Sequence, residues 1–531
     1  MFRYLYSIII SLAAFFYNDD VIVETKFGKI QGVQTSKSRT FLGVPYAAPP
    51  IGSLRWRPPE NPRPWTGVLD TKEVKAGCYQ LACASMNPAI LCPKTVSEDC
   101  LYLNIWTPAN ARKDSRLPVM VFIHGGNFVQ LSGGSLLFRG EDFVSKGHVI
   151  LVNVDYRLGA FGFLVTGDGP RDAKGNYGIK DQRLALQWVK DNIEAFGGDP
   201  RKVTLFGQSA GAQSTAIHLT NGKADGLFRN AIIQSSPFSI RYKTKEEVLF
   251  LGDFIAKFVN CPAGDITCLL NVSAEDIALA EHEARSVVTS PFLLELFEPI
   301  GPWVDGDEVK MEPVTAAQSG KFENIPLLIG TVSEETRIFV YEAFKETMGL
   351  ETYLGILLLA DPIKALKLLA KYPPVKSRDC RDTLQNLSTD LIFTCTARNV
   401  SRSLQTFGHS SIHLYIFNHP FSAKGAWYNF TFCEGHDCHG VELPFVFHTA
   451  HLGGFHLSPE EERLSTELIS YWSNFAYTSN PNTGPHPVYL NWPNYDIKQT
   501  TIMHFKTPKS ELLDEYRKNF CDFWDDVGYF I

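Results

Sequence analysis

The stretch Phe196-Gly-Gly-Asp-Pro-Arg-Lys-Val-Thr-Leu-Phe-Gly-Gln-Ser-Ala-Gly211 constrains the fold more than any other part of the chain, because it sets a serine between two glycines at the end of an apolar run. In a Gly-x-Ser-x-Gly turn a strand passes directly into a helix. Gly207 and Gly211 leave room for the strained backbone, which pushes the serine oxygen into the open. Ser209 is therefore a candidate nucleophile. The five-residue motif alone is weak, and its context strengthens it. Upstream, Leu184, Trp188, Val189, Ile193 and Phe196 recur on one helical face, and Gly197-Gly198 with Asp199-Pro200 end that helix before the strand predicted at 203–206.

The same alternation runs through the rest of the chain. Short apolar runs at 119–123, 149–154, 203–206, 231–233, 326–329 and 412–417 are separated by helical stretches, the pattern of buried strands in an α/β sheet with helices on its faces. Residues 21–46 alternate apolar and polar positions, with Gly28, Gly32 and Gly43 as breaks, and predict antiparallel N-terminal strands. Residues 338–372 read as largely helical. Ser458-Pro459-Glu460-Glu461 supplies an N-cap, a first-turn proline and a capping-box glutamate for a further helix. These helical regions are expected to wall a cavity. With 531 residues, 44% of them hydrophobic, and no linker, repeat or low-complexity tract, residues 18–531 read as one large domain. A net charge of -7 without a basic stripe or a cationic amphipathic helix argues against nucleic-acid and membrane-surface partners.

Arg3, an apolar run at 5–16 and polar Asn18-Asp19-Asp20 read as a secretory signal peptide over about residues 1–17. The run is too short to span a bilayer, so we expect secretion without a stable membrane anchor. Sequons at Asn271, Asn386, Asn399 and Asn429 fit that route. Eleven cysteines in a secreted chain imply disulfides with one thiol left over. We expect Cys261–Cys268, Cys78–Cys100 and Cys395–Cys521, with Cys83–Cys92 and Cys433–Cys438 added to these and Cys380 free. Cys433, His436, Cys438 and His439 have the residue types of a metal site. Their cramped spacing and the oxidising compartment favour a small disulfide loop, so no metal and no cofactor is expected.

A serine hydroxyl needs a histidine base, and that base needs a carboxylate to orient it. Here the Phe196–Gly211 stretch and Glu98-Asp-Cys-Leu-Tyr-Leu-Asn-Ile-Trp-Thr-Pro108 resemble the type-B carboxylesterase and cholinesterase family of α/β-hydrolases, over nearly the whole mature chain. The resemblance implies the α/β-hydrolase fold, a central mostly parallel sheet flanked by helices. It also implies a Ser-Glu-His triad acting on a small-molecule ester. The family's acid lies five residues after the glycine that ends a late strand, which places it at Glu335, with Glu334 as the neighbouring alternative. Its base lies in a His-Gly-x-Glu stretch matched by His439-Gly440-Val441-Glu442. Its oxyanion hole falls on the backbone amides of Gly126, Asn127 and Ala210, with Asn127 where many relatives carry a glycine.

By the same resemblance, Arg55 with Glu98 and Arg157 with Asp181 are internal ion pairs, and Ser235 lies beside the triad, where it would supply a supporting hydrogen bond. Taken singly, His439 and Glu335 would read as ordinary structural or surface groups; their joint occurrence points to catalysis. The family also contains adhesion and structural proteins that keep the fold without the activity, and a lipase is the enzyme-side variant. Cholinesterases carry a glutamate before the nucleophile and a tryptophan before Asn-Pro. This chain has Gln208 and Met86-Asn87-Pro88, so a general carboxylesterase is expected. Oligomeric state is not legible in the sequence.

Overall fold

The computed structural model describes residues 19–81, 83, 90–287, 298–374 and 379–530. The expected signal peptide at 1–17 and Met86-Asn87-Pro88 lie outside them. One large sheet organises the chain. Asp19–Glu24, Lys29–Gln34, Ser38–Pro45 and Tyr102–Pro108 pair antiparallel in that order. Tyr102–Pro108 also pairs antiparallel with Ile150–Val154, where the parallel part begins. From there the strands run Ile150–Val154, Leu117–Ile123, Gly198–Gln208, Asn230–Gln234, Leu327–Val332, Ile412–Phe417 and Ile502–Phe505. Glu511–Leu513 closes the far edge antiparallel. The mostly parallel sheet with an antiparallel N-terminal part is the expected architecture.

Strand periodicity explains the two-sided core. Successive side chains point to opposite faces, so a strand covered on both sides must be apolar throughout. Val119, Val121, Leu205, Ala231 and Ile329 join the core on one face. Met120, Phe122, Phe206, Ile232 and Leu328 join the core on the other, against Leu468, Trp472 and Phe475 of the helix Pro459–Thr478. That helix starts with the expected capping box: Ser458 Oγ accepts from the Glu461 N–H, and Glu461 Oε2 accepts from the Ser458 N–H at 2.8 Å.

Two expectations were incomplete. The strand leading to Ser209 begins at Gly198, earlier than its apolar run, because Gly198 pairs with Leu117 across an irregularity before the register settles at Val203. The predicted helical walls contribute less to the cavity than supposed. Of residues 338–372 only Ile338 and Phe339, on the helix Arg337–Ala343, reach it, while Tyr353, Leu357 and Leu368 pack into a separate core with Trp524. Helix Pro459–Thr478 packs beneath the sheet instead of lining the cavity.

Five disulfides form: Cys78–Cys100, Cys83–Cys92, Cys261–Cys268, Cys395–Cys521 and Cys433–Cys438. Cys380 is a buried free thiol. Among the described residues no helix is long and apolar enough to cross a membrane. Asn271, Asn386 and Asn429 are exposed, whereas Asn399 is half-buried and its amide donates to Asp525.

Both expected ion pairs form. Arg55 grips Glu98 through Nε at 2.6 Å and Nη2 at 2.5 Å. Arg157 grips Asp181 through Nε at 2.8 Å and Nη2 at 2.7 Å, and Asp181 also accepts the Arg157 N–H. Asp181 is fully buried, so removing it alone would strand a cation in the core. Asp181→Ala is expected to destabilise the protein by about 3–5 kcal/mol, and Asp181→Leu combined with Arg157→Met to recover most of that loss. Chemical denaturation of the three proteins checks this.

Candidate functional site

Crowding at the strand–helix turn shapes the site. A side chain at Gly207 would overlap the Gly211 carbonyl, and one at Gly211 would overlap the Ile123 carbonyl of the neighbouring strand. Only glycine lets these segments meet, and the turn between them holds Ser209 at φ 57, ψ −126, on the N-cap of the helix Ala210–Thr220. Ser209 lines a cavity of about 210 Å³ together with His439, Gly126 and Asn127.

The loop after Leu117–Ile123 carries the expected oxyanion amides. Gly126 and Asn127 have left-handed φ values of 102 and 53, and the Gly126 carbonyl accepts from the Val129 and Gln130 N–H groups in a tight turn. Asn127 adopts the left-handed region that its short polar side chain tolerates. His124 anchors the loop: its ring stacks on Tyr156, and the Tyr156 hydroxyl donates to its carbonyl at 2.9 Å. Burial lowers the His124 imidazole to about 4, so it is a neutral support.

His439 Nδ1 lies 2.5 Å from Glu335 Oε2, and Glu335 Oε1 accepts the Val332 N–H at 2.8 Å. Glu335 is fully buried, and the rings of Phe339 and Phe393 flank the imidazole. Glu334 turns the other way, accepting from His436 Nδ1 at 2.9 Å and the Asp437 N–H at 3.1 Å. Cys433 and Cys438, bonded to each other, cannot serve as metal thiolates; their bridge closes the loop just before His439.

Three features depart from expectation or were not foreseen. Ser235 Oγ is buried and has no hydrogen-bond partner among the described residues, so the support expected of it is not made there. His439 Nε2, the nitrogen that would serve Ser209, instead lies 3.0 Å from the side-chain nitrogen of Gln208. Gln208 was noticed as a neutral neighbour of the nucleophile, but a contact across 231 positions of sequence leaves no local signal. Third, much of the cavity wall comes from Phe421, Trp427, Tyr428, Phe430 and Phe455, in a segment whose aromatic density was the one available clue.

The carboxylesterase family profile matches residues 19–524. Two proteins of Dictyostelium discoideum are each 36% identical: the cAMP-regulated D2 protein, over 92% of this chain and 89% of its own length, and the crystal protein, over 94% and 90%. The acetylcholinesterase of Bungarus fasciatus is 31% identical over 95% of this chain and 86% of its own.

The two adjacent glutamates make separable predictions. If Ser209 depends on His439 held by Glu335, Glu335→Gln should slow labelling of Ser209 by an organophosphate about 10³-fold or more. Glu334→Gln should leave the rate within about threefold, since its partners lie away from the imidazole's reactive edge. Mass-spectrometric labelling rates decide between them.

Proposed function

The chain belongs to the carboxylesterase family, whose fold is the α/β-hydrolase fold, and from that premise we propose that it is a secreted serine carboxylic ester hydrolase working through an acyl-serine intermediate. The observation that carries the reading is the Glu335–His439 contact of 2.5 Å, with His439 and Ser209 facing one cavity. Ser209 Oγ attacks the ester carbonyl as His439 Nε2 takes its proton. The backbone amides of Gly126, Asn127 and Ala210 receive the negative charge on the carbonyl oxygen, where one such donor is worth about 2.7–4 kcal/mol. His439 then protonates the departing alcohol, and a water activated by the same nitrogen releases the acid. For the first step the Gln208 amide must yield its place at Nε2.

The five disulfides and the absence, among the described residues, of a membrane-crossing helix support secretion. In that compartment Asn271, Asn386 and Asn429 are accessible to glycosylation and Asn399 less so. The proposed unit is the single domain 18–531 that follows the signal peptide. The Gln208–His439 contact is the one observation favouring the second reading, a structural protein that keeps the fold and has lost turnover.

The proposed activity does not extend to acetylcholine, the substrate in the name of the Bungarus fasciatus relative. A cationic choline headgroup would need a carboxylate or a dedicated aromatic face. Gln208 is neutral and, among the described residues, no carboxylate lines the cavity, which favours an uncharged alcohol; the aromatic wall of Trp427, Tyr428 and Phe430 is the one feature a cation could use.

Ser209→Ala should abolish hydrolysis of a short-chain aryl ester and organophosphate labelling while leaving the unfolding transition in place, because the elbow oxygen contributes little to packing. Labelling at a different serine would overturn the assignment, and a folded wild type that neither turns over nor labels would establish the structural reading. For acetylcholine against its uncharged carbon isostere, kcat/KM should be about equal. A preference of about tenfold or more for the cation, the scale of a desolvated cation–π contact, would refute the general-esterase reading.

A further inference from the structure

Ser209 and Asn127 line a second, smaller cavity besides the large one. His439 faces only the large cavity. Because the histidine must protonate the leaving oxygen, the alcohol lies on its side, and the small cavity takes the acyl chain. Beyond Ser209 and Asn127 its walls are mostly apolar, from Pro237, Ile240, Phe339, Ile392 and Phe393, with Thr336 and one ionisable residue, Glu298.

An ionisable group in an acyl pocket is expensive to bury and would repel a plain alkyl chain. Glu298 is 6% exposed, and its Oε2 accepts a 3.0 Å hydrogen bond from Gln213 Nε2. Gln213 lies one helical turn after Ser209 on the same helix, so the nucleophile's own helix aims the carboxyl. Glu298 Oε1 has no hydrogen-bond partner among the described residues. Burial raises the group to about 7, against the pull of Gln213, Lys243 and His439. A hydrogen-bond acceptor is thus held at the wall of the acyl pocket with capacity to spare.

We infer that Glu298 selects the acyl group: the preferred ester carries a hydrogen-bond donor, a hydroxyl or an amine, a few bonds from its carbonyl, and Glu298 Oε1 accepts from it. The inference rests on the ester-hydrolase reading. A pocket built to pair a polar group rejects an analogue that lacks it more strongly than an apolar pocket discriminates by size, since the mismatched substrate leaves the buried acceptor unpaired. Glu298 touches substrate without taking part in bond making, so its effect should fall on the choice among acyl groups and not on the alcohol.

The test uses p-nitrophenyl esters of three acids of one shape, 3-hydroxybutyric, 3-aminobutyric and isovaleric acid, with the wild-type protein, Glu298→Leu and Glu298→Gln. We expect the wild type to favour the hydroxyl or the amine ester over isovaleryl by tenfold or more in kcat/KM, and the arm that wins identifies the donor. Glu298→Leu should reverse the order of the three esters, a ratio read within one protein, and Glu298→Gln, which retains a carbonyl acceptor, should keep a reduced preference for the hydroxyl ester. Equal rates on all three esters in the wild type, or an acyl preference that survives Glu298→Leu, would overturn the inference and leave the esterase reading standing. Absence of both turnover and labelling in the wild type would defeat the esterase reading and this inference with it.

Discussion

The close approach of three backbone segments around Ser209 is the constraint on which the rest of the site depends. Gly207 packs on the carbonyl of Gly211, and Gly211 packs on the carbonyl of Ile123, the last residue of the adjacent parallel strand. The strand, the helix that follows it and the loop beginning at His124 therefore share one point with no side chain between them. Because the loop leaves from that point, Gly126 and Asn127 are delivered beside the serine. The strain at Ser209 is sustained by the sheet: its N–H donates to the Gln234 carbonyl of the next strand, so both neighbours hold the turn.

The base reaches this point by a different route, a loop more than two hundred residues downstream. Small fastenings register it against the residues after Leu327–Val332. Cys433–Cys438 closes the loop, Ser333 Oγ donates to Asp437 at 2.6 Å, Glu334 takes His436 and the Asp437 N–H, and Glu334 and Cys438 form a bridge between the two segments. With these pairs made, Glu335 and His439 have little freedom except to face each other. Glu334 is one of several fastenings of this loop, so the others hold it when that one is weakened, while Glu335 alone of the two adjacent acids touches the base.

What was legible in the sequence follows the range of the interactions. The elbow, the capping box at Ser458 and the apolar strands at 119–123 and 412–417 are set by neighbours within a few positions, and they could be read directly. Strand limits were blurred where pairing extends beyond the apolar run, as at Gly198. The strand Ile502–Phe505, one in from the edge, leaves no readable signal because four residues carry too little periodicity. Glu335 and His439 were placed by family spacing, not by any local physical signal. Gln208 against His439, Glu298 in the acyl pocket and the unsatisfied Ser235 hydroxyl were invisible for a common reason: each depends on which distant segment lies opposite.

Electrostatics at the base adds a last consequence of that packing. Three buried carboxyl groups surround one imidazole: Glu335 in direct contact, and Glu442 and Glu298 close enough for their charges to act on His439. Burial raises Glu442 and Glu298 each to about 7, and Glu442 is raised further by Glu335; among the described residues its Oε2 has no partner, while Oε1 accepts a 3.2 Å bond from Gln234. Glu335, by contrast, accepts both the Val332 N–H and the imidazole Nδ1–H. As pH rises through about 7, Glu442 and Glu298 ionise and add negative charge near the imidazole. The acid that orients the base is therefore set apart from the other two by its hydrogen bonds, since all three are buried and all are glutamates.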